Sequence, residues 1–266
     1  MFASRVPPAA VGWVRDQATP GRYSRPLNLR HKRPEVIPSS ESGKAEGMPE
    51  TISPSSAEWF AHSQRALTGN LLTLEPLSWK HASELLAIAS DDRIWYFLTS
   101  CAMTEDALSN YISDALSDRD AGTAIPFVVR WRQSGKLVGS TRLKYYSSQH
   151  QKAMIGSWFV PSVWGKGANP ESKLLLLSLA FETLECIRIE FNTDGRNHRS
   201  RAALKALGAF EEGTLRSWGA TRRGDRRDNV VFSILRQEWP ETKQRLLSRL
   251  NGSRYCEASA TDEDHV

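Results

Sequence analysis

The chain has 266 residues, 40% of them hydrophobic, and a formal net charge of +5, which fits the core of one domain plus extended ends. Residues 1–36 hold seven cations against Asp16 and Glu35, so the N-terminus carries the whole excess and the balanced remainder argues against a specific nucleic-acid partner. Cys101, Cys186 and Cys256 form no CxxC pair, and the longest apolar run, 174–181, is far short of the roughly 20 residues that cross a bilayer; a disulfide framework, a metal site and a membrane partner are therefore not expected, and a soluble protein of the reducing cytosol is.

Residues 1–58 are rich in Pro, Ser and Arg without helical periodicity and read as a disordered basic extension. Three accounts of it stay open: a mitochondrial transit peptide if the source is eukaryotic, a basic arm touching RNA, or a solvated extension with Met48 as the natural start. The domain is expected over 59–250, followed by a disordered tail over 251–266.

Within the domain, 71–75 reads as a short strand ended by Pro76, and 79–89 has apolar residues at helical spacing. Thr104 caps a helix bearing Ala107, Leu108, Tyr111, Ile112, Ala115 and Leu116, which ends before Gly122. Residues 127–132 and 137–145 flank the turn Gln133-Ser-Gly-Lys as a hairpin, and 153–160 is a further strand. Leu174, Leu177, Phe181 and Leu184 form a helical stripe that Leu175, Leu176 and Leu179 widen toward burial on more than one side. A strand over 187–194, a short helix closing on Gly208, and a hairpin of 210–220 with 229–235 complete the domain. Early hairpins with later βαβ units imply a mixed α/β (α+β) sheet covered by helices.

Between strand 153–160 and the Leu-rich helix lies Trp164-Gly-Lys-Gly-Ala-Asn169. Gly165 and Gly167 let the backbone approach a ligand, and the start of a helix favours an anion. The pattern alone is more often that of an ordinary βα connection.

Taken with Arg188-Ile-Glu-Phe-Asn-Thr-Asp-Gly-Arg-Asn-His-Arg-Ser200 and Leu207-Gly-Ala-Phe-Glu-Glu-Gly-Thr-Leu-Arg216, this stretch resembles the GNAT superfamily of acetyl-CoA-dependent N-acetyltransferases. The nearest branch is the one containing the ribosomal-protein N-terminal acetyltransferases, and the resemblance covers roughly residues 71–250. It implies a mostly antiparallel, twisted sheet flanked by helices with a splayed CoA-binding cleft, no metal, and a monomer or homodimer that moves an acetyl group from acetyl-CoA to a primary amine, on a small molecule or a protein N-terminus, by direct attack in a ternary complex. The chain departs from the family's cradle pattern, which has Gln or Arg where Trp164 stands and Gly or Ala where Asn169 stands. A degenerate member that only binds CoA, or acts as an interaction module, is the alternative.

The resemblance implies a cofactor site of Trp158, Phe159 and Val160 on the strand, Gly165, Lys166, Gly167, Ala168 and Asn169 in the cradle, and Asn197 and Ser200 beyond. By the same resemblance Asn197 is expected to bond the pantetheine arm and Ser200 to protonate the leaving thiolate. Read as residues alone, Asn197 is a helix cap, Ser200 a first-turn serine and Lys166 a solvated loop lysine. Glu190 is the candidate base, against a structural pair with Arg188 or Lys205. For the acceptor the resemblance points to the first two helices and the last hairpin, hence Asp92, Trp95 and Trp218, with Asp91 and Tyr96 beside them; cation–π contact would suit an amine, whereas the plain reading is an acidic helix end beside core aromatics. Arg222, Arg223, Arg226 and Arg227 read as a solvated hairpin tip or as a contact for an acidic partner or RNA.

Overall fold

The computed structural model describes residues 56–260; the expectations for 1–55 and 261–266 lie outside them. Helix α1 (Ser56–Ser63) and strand β1 (Leu67–Thr68) open the described chain, both too short to show a period in the sequence. Trp59 of α1 is buried and stacks on Tyr146 with ring centroids 4.1 Å apart. Helix α1 thus starts three residues before the expected domain start at 59.

The strands that follow are β2 (Leu72–Pro76), β3 (Ile125–Trp131), β4 (Leu137–Ser147), β5 (Lys152–Phe159), β6 (Arg188–Asp194), β7 (Phe210–Ala220) and β8 (Arg226–Leu235). They form one sheet in the order β1-β2-β3-β4-β5-β6-β8-β7. Neighbours joined by turns pair antiparallel, whereas β5 and β6 run parallel because the chain between them crosses back as a helix. The last hairpin is longer than its sequence suggested, since β8 starts at Arg226.

Helices cover both faces. On one lie α2 (Ala82–Ala89), preceded by a 3-10 turn at Trp79–His81, the single-turn α3 (Asp92–Trp95) and α4 (Glu105–Asp120). Thr104 caps α4 as expected, its Oγ1 accepting the Ala107 N–H at 3.3 Å. Leu85, Trp95, Ile112, Val128 and Trp158 belong to the core on this side. On the other face lie α5 (Ala168–Ser178), α6 (His198–Leu207) and α7 (Trp239–Ala260). Phe127, Leu143, Ile155, Leu176, Leu204, Ile234 and Leu246 fill the core beneath them. α5 passes into a π-helical turn at Leu179–Thr183, and Leu176, Leu177, Ala180 and Phe181 are all buried, which accounts for the widened apolar stripe. α7 continues past Leu250, the expected end of the domain, to Ala260.

Candidate active site

Strands β5 and β6 pair at Lys152↔Arg188, Ala153↔Ile189 and Met154↔Glu190 and then part. Beyond that vertex β5 stays on β4 up to Phe159↔Gly139 while β6 stays on β8 up to Asp194↔Asn229, so a wedge opens between their C-terminal ends. In an antiparallel ladder successive residues turn their N–H to opposite sides. The Val160 N–H donates to Val138 O at 2.9 Å, which by alternation commits Trp158 to β4 as well and turns the amides of Ser157 and Phe159 into the wedge. Of the three residues expected to bind the cofactor, Phe159 thus directs its amide into the wedge, while the amides of Trp158 and Val160 bond to β4. The Trp158 ring is buried, 5.2 Å from that of Trp95, and its Nε1–H donates to the Tyr111 hydroxyl at 3.2 Å.

At the mouth of the wedge, Gly167 is the N-cap of α5 with φ +86°, and a Cβ there would lie 2.8 Å from the Leu71 Cδ1. Gly165, at φ +79°, has open space around it. Only glycine takes such backbone angles without strain. The first amides of α5, on Ala168 and Asn169, have no partner within the helix, and Pro170 has no N–H to offer. Lys166 is exposed beside them. These features form an amide-lined turn suited to a phosphate.

Three contacts that sequence reading missed build this turn. Glu171 is buried, and its carboxylate accepts the amides of Asn70, Leu71 and Leu72 at 2.8, 2.8 and 2.7 Å, which ties the start of α5 to β2. Lys173 is also buried; its Nζ donates to Ser157 Oγ at 2.7 Å, and burial pushes its pKa down to about 7. The indole of Trp164 donates to Phe159 O at 2.9 Å while the Arg199 guanidinium lies 3.3 Å from the ring centre.

Across the wedge, Asn197 caps α6, its Oδ1 accepting the Ser200 N–H at 3.0 Å. Ser200 shares a helical face with Ala203, Leu204 and Leu207, and those three line a notch against Asn169, Pro170 and Lys173 of α5. Ser200 thus stands at the wedge end of the groove between α5 and α6. Glu190 sits at the vertex, where Arg188 at 2.9 Å and Lys152 at 3.5 Å engage it; its Arg188 pair is the structural alternative foreseen, and Lys205 instead pairs with Glu211.

The acceptor-side residues are distributed differently from their expected roles. Trp95 is fully buried, with its Nε1–H on Ala89 O at 2.7 Å, and presents no surface to a ligand. Asp92 is held by Arg222 and, at 2.7 Å, by Arg223, whose guanidinium also lies over the Tyr96 ring. The hairpin tip is consequently clamped to residues 92–98, and Arg227, 6% exposed, donates to Phe97 O at 3.1 Å and to the Asn229 side chain. This corrects the picture of a wholly solvated tip. Trp218 is half exposed above Arg227. Among the described residues no group of His, Cys, Asp or Glu is arranged to hold a metal ion, and no helix is long and apolar enough to cross a membrane.

Residues 72–209 match the family described as Acetyltransferase (GNAT) domain. The chain is 34% identical over 109 residues to a Bacillus subtilis (strain 168) protein provisionally named ribosomal N-acetyltransferase YdaF, a match covering 41% of this chain and 59% of that relative's length. A crystal structure from T. thermophilus, provisionally described as an acetyltransferase, superposes with a TM-score of 0.63 at 34% identity over 70% of this chain and 97% of that one. Mycobacterium smegmatis RimJ, solved in complex with CoA-disulfide, shares the fold with a TM-score of 0.62 at 23% identity, covering 70% of this chain and 95% of its own.

Proposed function

The chain belongs to the GNAT acetyltransferase family, and we propose that it transfers an acetyl group from acetyl-CoA to a primary amine by direct attack in a ternary complex. The observation that carries this reading is the wedge itself, with an inward Phe159 amide beside the amide-lined turn at Gly165–Asn169. A Cβ at Gly167 would collide with Leu71, which holds the turn to glycine, and the free amides of the turn suit an anion such as a pyrophosphate. Acetyl-CoA supplies an activated thioester; the fold neighbour described with CoA-disulfide supports that ligand class.

In this reading the Phe159 N–H polarises the thioester carbonyl, a contact that strengthens as charge collects on the oxygen. Ser200 Oγ–H gives a proton to the departing thiolate sulfur. The neutral amine bonds to the carbonyl carbon as the carbon–sulfur bond breaks, and the proton it sheds balances the one the thiolate takes up. Glu190 maintains the vertex through Arg188 and Lys152. Asn197 orients Ser200 by capping its helix. The acceptor approaches past the clamp of Asp92, Arg222 and Arg223, with Trp218 at its rim. A protein N-terminus is the favoured acceptor, given the ribosomal N-acetyltransferase name of the YdaF relative.

Two measurements test this. Saturating acetyl-CoA should raise the melting midpoint by mass action, and free thiol should be released when acetyl-CoA is mixed with one of a panel of small amines and N-terminal peptides. No heat of binding and no midpoint shift would overturn the reading; binding without thiol release on any acceptor would favour the degenerate CoA-binding alternative.

A further inference from the structure

Arg199 is a solvent-exposed cation placed at a helix start, which the helix dipole disfavours. It lies in the first turn of α6, where no acidic residue offsets the positive end of the helix dipole. Arg130, Arg188, Arg196 and Arg201 each pair with a carboxylate, but Arg199 has no carboxylate partner among the described residues. Its contact is instead the Trp164 ring, 3.3 Å away. That ring is fixed, since its Nε1–H donates to Phe159 O at 2.9 Å. The indole therefore forms a platform between the end of β5 and the cradle, and a guanidinium stacked on it keeps its five in-plane N–H donors available.

We propose that Arg199, seated on the Trp164 indole, is the side-chain receptor for the pyrophosphate of CoA in this cleft; this rests on the CoA-binding reading above. Trp164 brings no charged group of its own to the turn, and the cation on its ring comes from α6, on the opposite wall of the wedge. Stacking uses the guanidinium's face and leaves its edge for two phosphate oxygens, the geometry in which arginine recognises phosphate best. An anion bound there also offsets the repulsion between Arg199 and the N-terminus of its own helix, α6.

The test is calorimetric titration of the full chain with CoA and with dephospho-CoA, which share the pyrophosphate and differ in the 3′-phosphate. Arg199→Ala should weaken both by about tenfold or more, the scale of a charge-assisted hydrogen bond, with Arg199→Lys intermediate. Trp164→Leu should weaken both as well, and the double variant should be no weaker than Arg199→Ala, because the two residues act as one unit. Removing a first-turn cation should leave the melting midpoint unchanged or raised, which separates lost binding from lost folding. Wild-type affinity of Arg199→Ala for both ligands would overturn the inference while leaving the CoA reading intact, and weakening of CoA alone would overturn the pyrophosphate assignment in favour of the 3′-phosphate. If the unmodified chain binds neither ligand, the CoA reading itself fails.

Discussion

The Glu171 carboxylate and the Leu72 backbone N–H meet at 2.7 Å, joining the first turn of α5 to the first residue of β2. The same carboxylate takes the amides of Asn70 and Leu71, so three donors of one turn depend on a single side chain. A Cβ on Gly69 would lie 2.7 Å from its carboxyl carbon, and the turn is therefore shaped around the acid. Leu71, thus positioned, is the residue that a side chain at Gly167 would strike. The cradle's geometry descends from this interaction.

Glu171→Ala should accordingly destabilise the domain by about 1–3 kcal/mol, the cost of orphaning the buried Leu72 donor, with less from Asn70 and Leu71, which lie nearer solvent. Urea unfolding measures it. Glu171→Gln should recover only part of the loss, since an amide brings one acceptor oxygen and adds donors that oppose the backbone N–H groups. Equal stability of Glu171→Ala and the unmodified chain would show that the turn holds itself.

Gly165 provides a cleaner probe of the cradle than Gly167. A Cβ at Gly165 meets nothing within 4 Å, so Gly165→Ala strains only the backbone at φ +79°. The expected cost is about 1–2 kcal/mol of stability, together with loss of the acetyl-CoA-induced rise in melting midpoint as the turn relaxes from its left-handed conformation. A variant that melts slightly lower yet shows the full ligand shift would place the phosphates elsewhere.

What the sequence made legible was local. Thr104 and Gly208 announce the ends of helices because a cap acts on amides or carbonyls a few residues away. Gly165 and Gly167 mark the cradle because a positive φ selects glycine at the position itself. The missed features depend on pairing across the chain. Glu171 looks like an ordinary first-turn acid until the fold brings residues 70–72 to it. Trp164 reads as a lost polar group until α6 lays Arg199 on its ring. Trp95 reads as a ligand-facing aromatic because the resemblance places the acceptor at the first two helices; its burial depends on Ala89 O and Trp158, which only the tertiary fold sets around it.

Lys173 should impose a pH dependence on stability. Burial lowers its pKa to about 7 from an ordinary value of 10.5, so between those values the unfolded chain binds a proton that the folded chain does not. Stability contributed by this group therefore rises with pH across the window from about 7 to 10.5; below it, the charged ammonium is held in the core at a cost. Lys173→Met, which removes the charge and keeps the volume, should stabilise the protein most at pH 6 and least near pH 10, by up to a few kcal/mol. Melts of both proteins across that range decide it, and a constant difference at all pH values would mean that Lys173 does not titrate in the window.

Ser200→Ala should lower turnover far more than it weakens acetyl-CoA binding. Its proposed hydrogen bond grows as negative charge develops on the sulfur, so it belongs to the transition state and reduces the chemical barrier. Losing a proton donor costs about 10²-fold or more in rate. The plain alternative is also visible: the Ser200 N–H already serves Asn197 as part of the cap, but that bond uses the backbone and survives the substitution. Removal of Oγ alone therefore leaves the cap in place and isolates the chemistry. Steady-state kinetics on the best acceptor found, with a melt of the same sample, separate the two roles: a fall in kcat at an unchanged midpoint assigns the proton to Ser200, whereas full turnover assigns it to another donor, such as a water held in the wedge by Asn197.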